Sequence, residues 1–167
     1  MAGMLEQLLD ILGEQATRYE ELLGLSKEKK DVIIANDIEQ LQKINHLENL
    51  VISQNQKLEK KRQSIVEDMA IVLDQKESDL TLPKMIELLE GQEGHQALID
   101  LQKRFKEVVD ELKEVNKQNG ELIQNALEYI EFSTNVIRST MNQGPATYAP
   151  GAEDNYPGEP GYIDTRN

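Results

Sequence analysis

A chain of 167 residues with 31 acidic and 18 basic side chains, net charge −13, fits one domain, or one domain with a tail. It lacks the basic surface that nucleic-acid phosphates or anionic lipid require, and without cysteine it can form neither disulfides nor thiolate metal sites, which is compatible with a reducing compartment. Aromatics are scarce and 29% of residues are charged, so the expected core is a long thin seam of Leu, Ile and Val.

The first residues, MAGMLEQLLDILGEQ, are amphipathic and acidic, unlike a signal peptide with its basic start and unbroken apolar run. No run approaches the ~18 apolar residues of a membrane span. These features predict a soluble, cytoplasmic protein without membrane insertion. From Ala2 to about Ala35, Leu5, Leu8, Leu9, Leu12, Ala16, Tyr19, Leu22, Leu23 and Ile33 recur at intervals of three and four, which predicts a helix over 2–35. Gly13 and Gly24 weaken it by ~1 kcal/mol each without interrupting the pattern.

Asn36–Asp37 is the expected boundary, with Asp37 and Gln40 spaced as a capping box before Ile38 restarts the apolar pattern. A second helix over 37–75 follows. Its a-type positions are Ile44, Val51, Leu58, Ile65 and Val72; the d-type positions Leu41, Glu48, Asn55, Arg62 and Met69 turn polar in the middle. That middle is expected to be solvated, as in an extended hairpin.

A short helix over 82–90 is predicted next, capped by Thr81, with Pro83 in its first turn and Gly91 and Gly94 ending it. Too short to stand alone, it should lie across the ends of its longer neighbours. The last helix, 95–138, has the cleanest heptads: Leu98, Leu101, Phe105, Val108, Leu112, Val115, Asn119, Leu122, Ala126, Tyr129, Ser133 and Val136. At 1.5 Å per residue it would span about 65 Å. From 141 to 167 the chain holds four of its five prolines and no periodicity, and is expected to be a disordered tail. The predicted architecture is all-α: an elongated antiparallel helical hairpin or bundle of three long helices plus one short helix, occupying 1–140.

Catalytic and metal chemistry find no foothold. The two histidines, His46 and His95, follow Lys43 and Gln92 at the three-residue spacing where a di-metal bundle would place Glu. No Gly-rich phosphate loop is present. Both histidines are expected at the surface, and neither enzymatic activity nor any cofactor is expected. Acidic residues are spread over all helices, as on solvated faces.

The distinctive feature is the stretch 115–137. On a helical wheel Leu122, Ile123, Ala126, Leu127, Tyr129, Ile130, Phe132, Val136 and Ile137 cover an arc of about 220°, where packing against one core needs little more than about 100°. The surplus points to a partner. No Lys or Arg falls between Gln118 and Ile137, whereas Glu121, Glu128 and Glu131 do. At the start of the stretch stand Asn116, Asn119 and Gly120. Asn119 takes a heptad core position, where a buried amide fixes register. Gly120 suggests close approach of another backbone, a hinge, or simply a tolerated weak point.

The segment NKQNGELIQNALEYI, with its Asn-x-x-Asn-x-x-Leu-Ile pattern, resembles the FlgN family of flagellar type III export chaperones. So do DLTLPKMIELLEG between long helices and the Thr147–Tyr148 and Gly151 segment after the last one. The Pro/Gly-rich end departs from better-known members. The resemblance implies a cytoplasmic chaperone that binds the C-terminal amphipathic segment of hook-associated (hook–filament junction) proteins, prevents their premature assembly and delivers them for export. Export-apparatus components are further implied partners. Carried over, the binding residues are Asn116, Asn119, Gly120, Leu122, Ile123, Ala126, Leu127, Tyr129, Ile130, Val136 and Ile137. The alternatives are a scaffolding coiled coil that self-associates through the same stretch, or a chaperone of another flagellar client such as flagellin.

Overall fold

The structure, a computed structural model, describes residues 1–142. The expected disordered tail lies outside the described residues, apart from Met141 and Asn142, which extend the last helix. Four α-helices follow one another: α1 (Ala2–Ile34), α2 (Ile38–Val72), α3 (Leu82–Leu88) and α4 (His95–Asn142), with a 3-10 turn at Glu77–Asp79 before α3. No strand occurs among the described residues. The chain divides into two compact units, Met1–Leu127 and Glu128–Asn167.

Helix ends are set by local chemistry. Asn36 adopts φ +54°; its N–H bonds the Ile33 carbonyl at 3.1 Å, and that of Asp37 the Val32 carbonyl at 3.2 Å. This is a Schellman closure of α1 with Asn in the left-handed position. Asp74 (φ +51°) closes α2 the same way, through Ile71 and Ala70. The Asp37 side chain then caps α2 by accepting from the Gln40 N–H at 3.1 Å. Only this half of the expected capping box forms, because the Asp37 N–H is already committed to Val32. Thr81 caps α3 through the Lys84 N–H, with Pro83 in the first turn.

In the first unit, cross-helix bonds fix the directions. Gln15 bonds Glu59 at 2.9 Å and Lys29 bonds Glu48 at 3.0 Å, so α1 and α2 are antiparallel. Arg104 bonds Glu20 at 2.6 Å and Asn119 bonds Ser26 at 2.8 Å, so α4 runs parallel to α1. The segment between α2 and α4 makes this return possible. Its α3 brings Met85 and Leu89 into a cluster with Leu5 and Leu8 of α1, Met69 of α2 and Leu98 of α4. All six are almost fully buried, each contributing roughly 1.5–3 kcal/mol. Further along, Leu23, Val108 and Val115 form a smaller cluster edged by Tyr19 and Leu112. The Tyr19 ring meets Phe105 edge-on at 6.0 Å.

Two expectations are corrected. Ile65 and Val72 were expected in the α2 seam, but Val66, Met69 and Ala70 are buried there, Ile65 is half-buried, and Val72 is 57% exposed. The α-helix repeats every 3.6 residues rather than 3.5, so the seam drifts along so long a helix. His95 is not a free surface residue: its Nε2 lies 2.9 Å from the Ile86 carbonyl and ties the start of α4 to α3. His46 is exposed, as expected.

In the second unit, Glu128–Asn142 continues as helix. Tyr129, Ile130, Phe132, Val136, Ile137 and Met141 are all exposed there.

Candidate partner-binding surface

Four of the expected site residues border one groove of the first unit. Asn116, Asn119, Gly120 and Ile123 of α4 line it together with Leu22, Ser26 and Lys29 of α1 and Glu48 and Ile52 of α2. Asn119 is only 4% exposed. Its Nδ2 donates to the Ser26 carbonyl at 2.8 Å, while its Oδ1 is buried without a hydrogen-bond partner. Beside it, the Glu48 carboxylate accepts from Lys29 Nζ at 3.0 Å and from the Ser26 hydroxyl at 3.4 Å. Lys30 of α1 donates to Gln118 at 3.2 Å. A polar layer thus joins three helices around Asn119.

Gly120 is corrected in one respect. A Cβ built on it would meet nothing within 4 Å, and α4 passes through it without a break. No backbone of the described residues approaches it closely, and none of them gives its place in the helix a steric need.

Beyond Asn119 the heptad seam stops enclosing side chains. Leu122 and Ala126 are half-buried, Ile123 is 36% exposed and Leu127 55%. The opening of Ile123 and Leu127 follows from where α1 ends. With Asn119 level with Ser26, α1 reaches its last helical residue, Ile34, about two turns later.

In the second unit, Tyr129, Ile130, Phe132, Val136 and Ile137, the remaining residues predicted from the wheel, share their helix with Met141, which the wheel reading did not include. Glu131 lies on the complementary polar side with Asn135 and Arg138.

Several groups at the seam escaped the sequence reading. Arg104 clasps Glu20 through Nε at 2.6 Å and through its terminal nitrogen at 2.8 Å. This hydrogen bond holds the Glu20 carboxyl below its ordinary range and raises Arg104. Glu59 is lowered by Arg62 first and by Gln15 as well, against the opposing effect of burial. Ser26 is the one whose signal was visible, a polar residue among the apolar positions Leu22, Leu23 and Ile33. Its partner, ninety-three residues away, had no local trace.

No group of three or more His, Asp or Glu that could hold a metal occurs among the described residues. No helix among them is long and apolar enough to cross a membrane.

The family model described as FlgN protein matches residues 1–155. The chain belongs to the FlgN family. That family is one of flagellar export chaperones, so flagellum assembly, through binding of flagellar proteins, is the process this FlgN-family chain serves. No curated protein and no solved structure matches the chain. The FlgN match includes all of α1 to α4 and extends past the described residues.

Proposed function

We propose that this FlgN-family protein works in the cytoplasm, masking the C-terminal amphipathic segment of hook-associated proteins until export. The observation that carries the reading is the run of large apolar side chains left open on α4. Tyr129 (71% exposed), Phe132 (66%), Ile137 (59%) and Ile130 (54%) have no role in the chain's own core. A client helix laid against them would be held as helix-in-groove complexes are. Burying three or four such side chains at roughly 1.5–3 kcal/mol each is enough to offset the ~2–5 kcal/mol or more that ordering a flexible client costs when burial is near complete. Glu121 and Glu131 would meet basic client residues at the rim, directing encounter more than adding strength. In the first unit, Ile123 and Leu127 are further exposed apolar side chains, and Asn116, Asn119 and Gly120 border its groove.

Calorimetry with C-terminal peptides of hook-associated proteins, and with a flagellin C-terminal peptide as comparison, tests the proposal. Binding of the hook-associated peptides at fixed stoichiometry, lost in the double variant Leu127→Asp, Ile130→Asp, is expected. These two positions are exposed, so the variant should keep its fold. Binding of flagellin alone overturns the client, and unchanged binding by the variant overturns the site.

A further inference from the structure

A second surface lies on the other side of the α1–α2 hairpin. The α1 residues that face α4 are Thr17, Glu20, Leu23 and Lys27, through bonds and packing to Arg104, Val108 and Glu111. Arg18, Glu21, Leu25 and Glu28 recur on the opposite side of the same helix. With Leu47, Leu50, Val51 and Gln54 of α2 they line a groove that α4 does not enter. Its apolar floor is open: Leu47 is 47% exposed and Leu50 48%. Gly24 also lines it, and a Cβ there would meet nothing within 4 Å. The chain therefore keeps a poor helix former at the floor of a groove where nothing of its own presses close. Toward the start of α1 the line continues past Asp10 and Ile11, facing Lys61 and Ile65 of α2. Toward the α1–α2 turn it continues past Lys43 and His46.

The two edges of this groove differ in sign. The α1 edge carries Asp10, Glu21 and Glu28 with Arg18 among them, the α2 edge Lys43 and Lys61 with Glu39. Glu21 is already paired with Arg18, and Lys43 with Glu39. Asp10, Glu28 and Lys61 remain to reach outward. We infer that the occupant is a second copy of this chain, docked groove to groove about a two-fold axis parallel to the helices.

Symmetry makes that choice testable. An axis along the helices sets α1 against the partner's α2 at the same level, acidic edge on basic edge. An axis across them sets α1 on α1, acid on acid, and is disfavoured. The Gln15–Glu59 and Lys29–Glu48 bonds fix which levels coincide. They put Asp10 within about one turn of the partner's Lys61. Leu25 falls level with the partner's Leu50. The inference is independent of the client surface, which uses α4.

Sedimentation velocity of the full chain, from low micromolar to sub-millimolar concentration, is the test. A monomer–dimer equilibrium is expected. Leu47→Glu with Leu50→Glu should weaken it by about tenfold or more, with helicity unchanged because both positions are exposed. Lys61→Glu should also weaken it, and adding Asp10→Lys to the same chain should restore it by swapping the pair. Ile130→Asp should leave it intact. A chain monomeric throughout overturns the inference, as does a dimer indifferent to the leucine and charge variants, or one dissolved by Ile130→Asp alone. A monomer whose groove instead takes a helix from an exported client overturns it equally.

Discussion

Asn119 of α4 donates to the Ser26 carbonyl of α1 at 2.8 Å while the other end of its amide, buried in the same seam, bonds nothing. The Ser26 carbonyl lies within α1 and has its own intrahelical partner, so the bond from Asn119 is an addition rather than a rescue. The orphaned oxygen costs stability. Such a group makes sense as a register marker, holding α4 at one level against α1.

The first prediction follows from that bond. Asn119→Leu removes the orphan and adds apolar contact, so stability should stay level or rise by up to about 1 kcal/mol. Asn119→Ala, which opens a gap, should lower it by about 1–2 kcal/mol. Urea midpoints at constant slope are the measurement. A loss of several kcal/mol in the Leu variant would contradict the register reading.

Gly94 should be far less tolerant than Gly120. It adopts φ +94°, and a Cβ there would lie 2.9 Å from Leu9 Cδ1. Gly94→Ala should cost about 1–3 kcal/mol through backbone strain and displacement of the leucine. Gly120→Ala, in open helix, should instead stabilise by up to about 1 kcal/mol. Thermal melts of the two variants should shift in opposite directions.

Acid should weaken the polar ties on α1. Glu59 and Glu20 are both held below the ordinary carboxylate value of 4.5, chiefly by hydrogen bonds from Arg62 and Arg104 respectively. A carboxyl depressed in the folded state stabilises it above that ordinary value, and the contribution fades as pH falls below it. Both groups are well solvated, so each effect is a few tenths of a kcal/mol. Urea stability measured from neutral pH to below 4.5 should fall less steeply in Glu59→Gln than in the parent chain.

Truncations should report position along α4. Leu98→Ala, in the end cluster, should cost about 2–5 kcal/mol; Ile137→Ala should fall within about 0.5 kcal/mol of the parent. Comparable losses at both positions would contradict the exposure of Ile137.

Amide exchange should follow the same gradient. Backbone bonds between 129 and 141 sit among exposed side chains and should exchange much faster than those near Leu8 and Leu98. Uniform protection along α4 would contradict this.

What could be read in the sequence was what acts over one helical turn. The caps at Asp37 and Thr81, the stops at Gly91 and Gly94 and the apolar stripes of the long helices are all interactions between near neighbours. The drift of the α2 seam from Ile65 to Val66 was not legible, because a strict heptad ignores the mismatch between 3.5 and 3.6 residues per turn. Nor were Ser26–Asn119, Lys29–Glu48 and Glu20–Arg104, which depend on how separate helices slide past one another. The apolar excess of α4 was visible as an amount. The exposure of Leu127 in the first unit needed the level of α1's end, and that came only from the cross-helix bonds.

The unequal burial along α4 bears on how such a chain can change. Mutations near Leu98 are judged first by whether the protein folds at all. Those near Ile130 or Ile137 escape that judgement, since no core depends on them. On the client surface proposed above, binding preference can therefore drift by single substitutions in the last turns of the helix without a cost in folding, and the chain can follow a client whose own sequence is changing.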